Sequence, residues 1–152
     1  GAKGALEAVQ AGPGRGEVLA GRWGGRVIDD TYNANPAAVK AAIDVLAEEP
    51  GHRVLILGAM LELGSTSERL HEEIGAYARS AGIEQLIAVG QEAKGAAVGF
   101  GDESGYFADQ ASLRAEFPSL PADHVIWVKA SRGAALEQTV SWLASKEGSE
   151  SC

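Results

Sequence analysis

The stretch Val27-Ile28-Asp29-Asp30-Thr31-Tyr32-Asn33-Ala34-Asn35-Pro36 decides the fold. A hydrophobic strand runs into two carboxylates, then a polar aromatic elbow, then a helix start. Asn35 is suited to accept hydrogen bonds from the first free amides of a helix. Pro36 suits the first helical turn, where no amide partner is needed. Behind it Val39, Ile43 and Leu46 recur at helical spacing, so this helix buries one stripe. A strand end and a helix start therefore lie a few residues apart, among side chains able to bind a nucleotide. Open α/β sheets bind ligands at such places, outside the carboxyl ends of their strands. On spacing alone the same residues also make a well-capped βα turn with a solvated Asp pair.

Outward from this stretch, hydrophobic runs alternate with amphipathic ones, the pattern of βα units in a mostly parallel sheet. Val18–Ala20 and Arg26–Ile28 are short and separated by glycines, so they read as a hairpin. Arg53–Leu57 is a continuous apolar strand, as expected for a strand buried on both faces. After a loop at 58–66, Leu70, Ile74, Tyr77, Ala78 and Ala81 form the stripe of a second helix, with Ser65 and Glu68 at capping-box spacing. Gln85–Val89 is the next strand, followed by a weak helix near 91–98 that glycine interrupts. A short strand at Gly105–Ala108, a helix from Asp109 to Phe117, a central strand Val125–Val128 and a last helix over 133–145 complete the set. The fold expected is α/β: a three-layer αβα sandwich of Rossmann-like type. Residues 1–16, with five glycines and one proline, read as a linker, 17–146 as the domain and 147–152 as a disordered tail.

Composition bounds the function. At 152 residues the chain is one domain with room for a sizeable core. The net charge of −8 argues against nucleic acid or an anionic membrane as main partner, since phosphate backbones want a basic face. No apolar run approaches the roughly 18 residues of a membrane span. The single cysteine, Cys152, leaves no internal disulfide and fits a reducing cytoplasm. His52, His71 and His124 have no ligand spacing, so no metal site is expected. No G-x-x-x-x-G-K-[ST] and no G-x-G-x-x-G after a strand is present; Gly12-Pro13-Gly14-Arg15-Gly16 precedes the first strand, and its proline removes an amide donor. The pattern is dinucleotide-like, yet it lacks the loop that binds dinucleotides.

Four strings in order carry a resemblance that accounts for this. They are Gly14-Arg15-Gly16-Glu17-Val18, Asp29–Pro36, Leu57-Gly58-Ala59-Met60-Leu61-Glu62-Leu63-Gly64, and Val128-Lys129-Ala130-Ser131-Arg132-Gly133. Together they resemble the C-terminal domain of the Mur ligases over residues 12–145. Within that family Tyr32-Asn33-Ala34-Asn35-Pro36 is similar to the member that joins D-Ala-D-Ala to UDP-N-acetylmuramoyl tripeptide in peptidoglycan synthesis; sister enzymes tend to carry histidine there. The resemblance implies that ATP phosphorylates the tripeptide carboxyl and that the dipeptide amine attacks the acyl phosphate. It implies ATP and Mg as cofactors, held mainly by a central domain that precedes this one and carries the phosphate loop. This domain alone would then be inactive. The implied partners are small molecules, in a cytoplasmic monomer.

Residue roles follow where the motifs match. The resemblance places Arg15 as the linker arginine that reaches the terminal phosphate; without it, Arg15 reads as a solvated charge. Asp30 is placed to take the ribose hydroxyls, with Tyr32, Asn33 and Asn35 on the adenine and ribose side, although capping is a sufficient role for Asn35. Lys129, Ser131 and Arg132 are placed at a helix start to hold the dipeptide carboxylate; the alternative is a capping Ser131 beside an exposed Arg132. Two positions depart from the family pattern. Ala59 stands where an aspartate is usual, and Ala130 where a glycine is usual. The competing readings are another Mur-like amide ligase and a self-standing flavodoxin-like binding module.

Overall fold

The computed structural model describes residues 14–61 and 63–145. Most of the expected linker (1–13), Glu62, and the tail from Lys146 to Cys152 lie outside the described residues. Six strands form one sheet: β1 (Glu17–Ala20), β2 (Arg26–Asp30), β3 (His52–Gly58), β4 (Gln85–Val89), β5 (Ser104–Phe107) and β6 (His124–Lys129), in the order β1-β2-β6-β3-β4-β5. β1 pairs antiparallel with β2 as the expected hairpin, and every other pairing is parallel. The helices are α1 (Pro36–Ala47), α2 (Ser67–Ala81), α3 (Lys94–Phe100), α4 (Gln110–Ala115) and α5 (Glu137–Ala144).

Alternation along each strand divides the core in two. Leu55, Leu57 and Trp127 pack on one face with Ile43 of α1, Ile74 of α2 and Phe100 of α3. Val54, Ile56 and Val128 pack on the other with Leu113 of α4 and Val140 of α5. This is the three-layer sandwich that the sequence predicts. Chains leaving β2, β3 and β4 turn to the first face, whereas those leaving β5 and β6 turn to the second. The carboxyl ends of β2 and β6 are therefore a topological switch point, where a crevice opens between diverging connections.

Three local expectations need correction. The capping box at Ser65 and Glu68 does not form, because Gly64–Thr66 make a 3₁₀ turn and Thr66 Oγ1 donates to Leu63 O instead. Glycine does not interrupt α3. Gly95 and Gly99 are where α3 meets α2, and a Cβ on Gly99 would lie 2.0 Å from Glu72 O. Finally, α5 begins at Glu137, after a 3₁₀ turn at Arg132–Ala134 and a left-handed Ala135, rather than at residue 133.

Arg53 ties the helical layer to the sheet. Its guanidinium donates to Ala47 O and Glu49 O at the end of α1, to Gly82 O at the end of α2, and to both oxygens of Glu84. One cation thus satisfies carbonyls left open by two helix termini. Burial pulls Glu84 up, but the hydrogen bonds and charge of Arg53 outweigh it and leave the carboxyl below its ordinary value. A depressed carboxylate stabilises the fold above its unfolded pKa, and that contribution is lost as pH falls through the folded value. We expect Arg53→Met to cost about 2 kcal/mol near neutral pH, the scale of hydrogen bonds to a charged group, and to flatten acid-limb stability in urea titrations. Equal pH dependence in variant and parent would discount the pair. Gly75→Ala should cost at least ~2 kcal/mol through overpacking, because its Cβ would fall 2.0 Å from Ala96 O; a neutral result in the same assay would mean that the two helices separate easily.

Candidate functional site

The two aspartates that end β2 have different surroundings. Asp29 is buried; its Oδ2 accepts from Gly14 N at 3.0 Å and its Oδ1 from Thr31 Oγ1 at 2.7 Å. Gly16 N donates to Asp29 O at 2.7 Å, and Tyr32 N to Gly14 O at 2.8 Å. Gly14 has φ +77, a conformation that L side chains rarely adopt. Residues 14–16, read from sequence as the end of a linker, are thus bonded to the sheet, because a buried carboxylate needs donors and the glycine amides supply them.

That attachment brings Arg15 onto Tyr32, with the guanidinium carbon 3.9 Å from the ring centroid. Arg132 reaches the same ring from the end of β6, at 5.0 Å. The ring itself is 41% exposed. Hydrogen bonding to Arg15 lowers the phenol pKa most, then hydrogen bonding to Arg132, then the two positive charges, with burial opposing. A cleft of about 470 Å³ runs beside this cluster, lined by Arg15, Asp29, Thr31, Tyr32, Arg132 and Glu137 among others.

Asp30 lies across the β2–β6 pairing from Lys129. Its Oδ2 accepts from Lys129 Nζ at 2.9 Å and from Trp127 Nε1 at 3.0 Å. Lys129 is buried, so either partner alone would be a stranded charge. Asn35 caps α1, its Oδ1 accepting from Ala38 N at 2.8 Å, while Asn33 is exposed. Ser131 is buried, and its Oγ accepts from Leu61 N at 3.2 Å, tying the loop after β3 to the loop after β6. The structure therefore gathers Arg15, Tyr32 and Arg132 on one cleft, and gives Asp30, Lys129, Asn35 and Ser131 partners within the fold.

Sequence reasoning missed the anchor of the loop after β3. His71 is fully buried; Met60 N donates to its Nε2 at 3.0 Å, and its Nδ1 faces Ser67 O at 2.8 Å. An amide donor at Nε2 requires the proton on Nδ1, where Ser67 O accepts it. The one available signal was Ser67, four residues before His71 on the same helix face. Among the described residues no three His, Cys, Asp or Glu side chains converge to hold a metal ion. A second cleft of about 420 Å³ lies at the ends of β3, β4 and β6, its lining including Ala59, Leu61, Gly133 and Ala134 together with the carboxylates Glu92 and Asp109. The largest, about 750 Å³, lies outside α2 and α3 and holds none of the expected residues.

The family model for the Mur ligase glutamate ligase domain matches residues 14–149. The chain belongs to the Mur ligase family. It is 40% identical over 150 residues to the UDP-N-acetylmuramoyl-tripeptide–D-alanyl-D-alanine ligase of Escherichia coli K12, covering 91% of this chain and 32% of that protein. The ligase of the same name from Bacillus subtilis is 36% identical over 125 residues, covering 77% of this chain and 27% of that one. The MurF ligase of Thermotoga maritima, solved in complex with ADP, superposes with a TM-score of 0.78 at 25% identity, covering 93% of this chain and 33% of its own. MurF from Acinetobacter baumannii gives 0.77 at 29% identity, over 89% and 31%. The chain spans about a third of the length of these relatives. As a Mur ligase domain it has the expected α/β architecture, and its arginine pair sits at the sheet's switch point.

In this Mur ligase domain the phenolate of Tyr32 gains from two cations, so it should form at lower pH than that of a free tyrosine. Tyr77 should move the other way, because its hydroxyl donates to Asp44 and the resulting charge would repel. Tyrosine-labelled NMR titration separates the two. Arg15→Ala should return Tyr32 toward the ordinary value, and an unmoved resonance would mean that the contact does not persist in solution.

Proposed function

We propose that this domain is the closing half of an ATP-dependent ligase that joins D-Ala-D-Ala to UDP-N-acetylmuramoyl tripeptide, working in the cytoplasm as a monomer. The observation that carries this reading is the convergence of Arg15 and Tyr32 on one cleft at the β2 end, in a chain similar along most of its length to ligases of that name. The neighbour solved with ADP supports a nucleotide as the ligand of the family. In this reading the phosphate loop and magnesium belong to the two thirds of such a ligase that this chain does not span. No helix among the described residues is long and apolar enough to cross a membrane.

The chemistry follows from placement. Arg15 presents a charged fork to the terminal phosphate and stabilises charge that develops on the transferred group. Asn33 lies on the base and ribose side, with the Tyr32 ring between it and the Arg15 fork. Asp30 turns toward ribose hydroxyls while its other contacts keep β2 and β6 in register, and Asn35 fixes the helix start beneath. The 420 Å³ cleft gives a small dipeptide room between Ala59 and Leu61 on one side and Gly133 and Ala134 on the other, with Lys129 and Ser131 in the strand and loop that lead to that second wall. The Leu61–Ser131 bond holds the two loops together.

In the full-length ligase, Arg15→Ala should lower kcat by about two orders of magnitude or more, the usual effect of removing one stabiliser of transition-state charge. Stability should fall by no more than about 1 kcal/mol, since the lost contact is one exposed cation–π pair. Steady-state kinetics and thermal unfolding on the same preparation decide it, and normal turnover would leave Arg15 a bystander. The reading as a whole is tested by phosphate release from ATP, which should require UDP-tripeptide and D-Ala-D-Ala together. Release supported equally by an unrelated amino acid would overturn it. The 152-residue chain by itself should turn over no ATP.

A further inference from the structure

We propose that Arg15, Tyr32 and Arg132 form one anion-binding unit, in which the Tyr32 ring holds both guanidiniums against the polyphosphate tail of a nucleotide. This rests on the ligase reading above and moves Arg132 from the dipeptide's carboxylate to the nucleotide. Three segments far apart in the chain deliver the unit. The Gly14–Gly16 segment is fixed by the buried Asp29, Tyr32 by its amide bond to Gly14 O, and Arg132 by the turn that follows β6. All three side chains line the same cleft.

Electrostatics argue for a shared anion. Two cations held against one ring repel each other, and the π face offsets only part of that repulsion. Asp29 also lines the cleft, but both its oxygens already accept internal hydrogen bonds. Glu137 is the remaining carboxylate on the wall, and it is exposed. A polyphosphate spreads its charge over several oxygens along a tail, so guanidiniums at 3.9 Å and 5.0 Å from one ring centroid can each meet part of it.

The surroundings of Arg132 fit a dipeptide carboxylate poorly. The groups expected to help hold it are engaged elsewhere: Lys129 with Asp30, and Ser131 Oγ with Leu61 N. The free amides of α5 begin only at Glu137, beyond the 3₁₀ turn at Arg132–Ala134 and the left-handed Ala135, so Arg132 does not sit at that helix start. Tyr32 is thus a positioning residue for two phosphate-binding cations.

The test uses the full-length ligase and the variants Arg15→Ala, Arg132→Ala, the double variant, Tyr32→Leu and Tyr32→Phe. Separate KM values for ATP and D-Ala-D-Ala are measured, together with ADP affinity by calorimetry. Arg132→Ala should weaken ADP and raise the ATP constant about 10- to 100-fold, as expected for a lost charge-assisted hydrogen bond, with the dipeptide constant moving far less. The double variant should lose less than the product of the two single effects. Tyr32→Leu should weaken nucleotide binding, and Tyr32→Phe, which keeps the ring, should recover most of that loss. An Arg132→Ala effect confined to the dipeptide overturns the proposal, as do multiplicative effects in the double variant or a Phe variant no better than Leu. If the wild type binds ADP but never couples ATP cleavage to D-Ala-D-Ala, the ligase reading falls. The anion unit is then judged on ADP affinity alone, where an unaffected Arg132→Ala would overturn it.

Discussion

The buried carboxylate of Asp29 is the constraint on which the site depends. A carboxylate out of water must be hydrogen-bonded or it destabilises the fold by several kcal/mol, on the order of the cost of an unpaired buried charge. It is met here by one hydroxyl two residues along and by one amide fifteen residues back. The second bond turns Gly14–Gly16 onto the strand end, and with them Arg15. Without that carboxylate the segment would be left with two backbone bonds, Gly16 N to Asp29 O and Tyr32 N to Gly14 O. Position of the arginine is therefore controlled by a carboxylate whose two oxygens are both taken up inside the fold.

A second carboxylate controls width. Asp30 draws Trp127 and Lys129 of β6 toward β2, so the two strand ends that flank the crevice cannot splay. With Ser131 joining the loop after β3, three neighbouring strands are linked at their carboxyl ends by side-chain bonds as well as by the sheet ladder. The result is a rigid rim in a chain whose net charge is −8. Against that acidic background the two guanidiniums gathered on one cleft are a local concentration of positive charge.

Much of the fold was legible because its signals are local. Asn35-Pro36 with Val39, Ile43 and Leu46 specifies both the start and the buried face of α1, and the apolar run at Val54–Leu57 can only be an interior strand. What was not legible depends on contacts between distant segments. The glycine within 91–98, Gly95, reads as a helix breaker until α2 is laid against α3, where a side chain there or on Gly99 has no room. Ser65 and Glu68 have capping spacing, but Gly64, at φ +63, opens a tighter turn first. The site divides the same way. Arg15 and Tyr32 were legible from the motifs, whereas their contact needed the Asp29–Gly14 bond, and His71 looked idle because its partner Met60 arrives from another element.

The two departures from the family pattern find a physical account in this packing. Ala130 is fully buried and is not among the left-handed residues, so the freedom of a glycine is not used there. Its methyl lies 2.9 Å from where a Cβ on Gly58 would stand, and Leu136 lies 2.8 Å from that point. The space between β3 and β6 at this level is thus filled from the β6 side, and the glycine is required on the β3 side. A methyl at both positions would overlap, so residues 58 and 130 are constrained as a pair. Ala59 follows directly, buried to 8% exposure between Gly58 and the loop anchored on His71. An aspartate there would need a donor in reach, and Met60 N is already given to the imidazole. An alanine asks for none, so the loop passes this buried position with an apolar side chain.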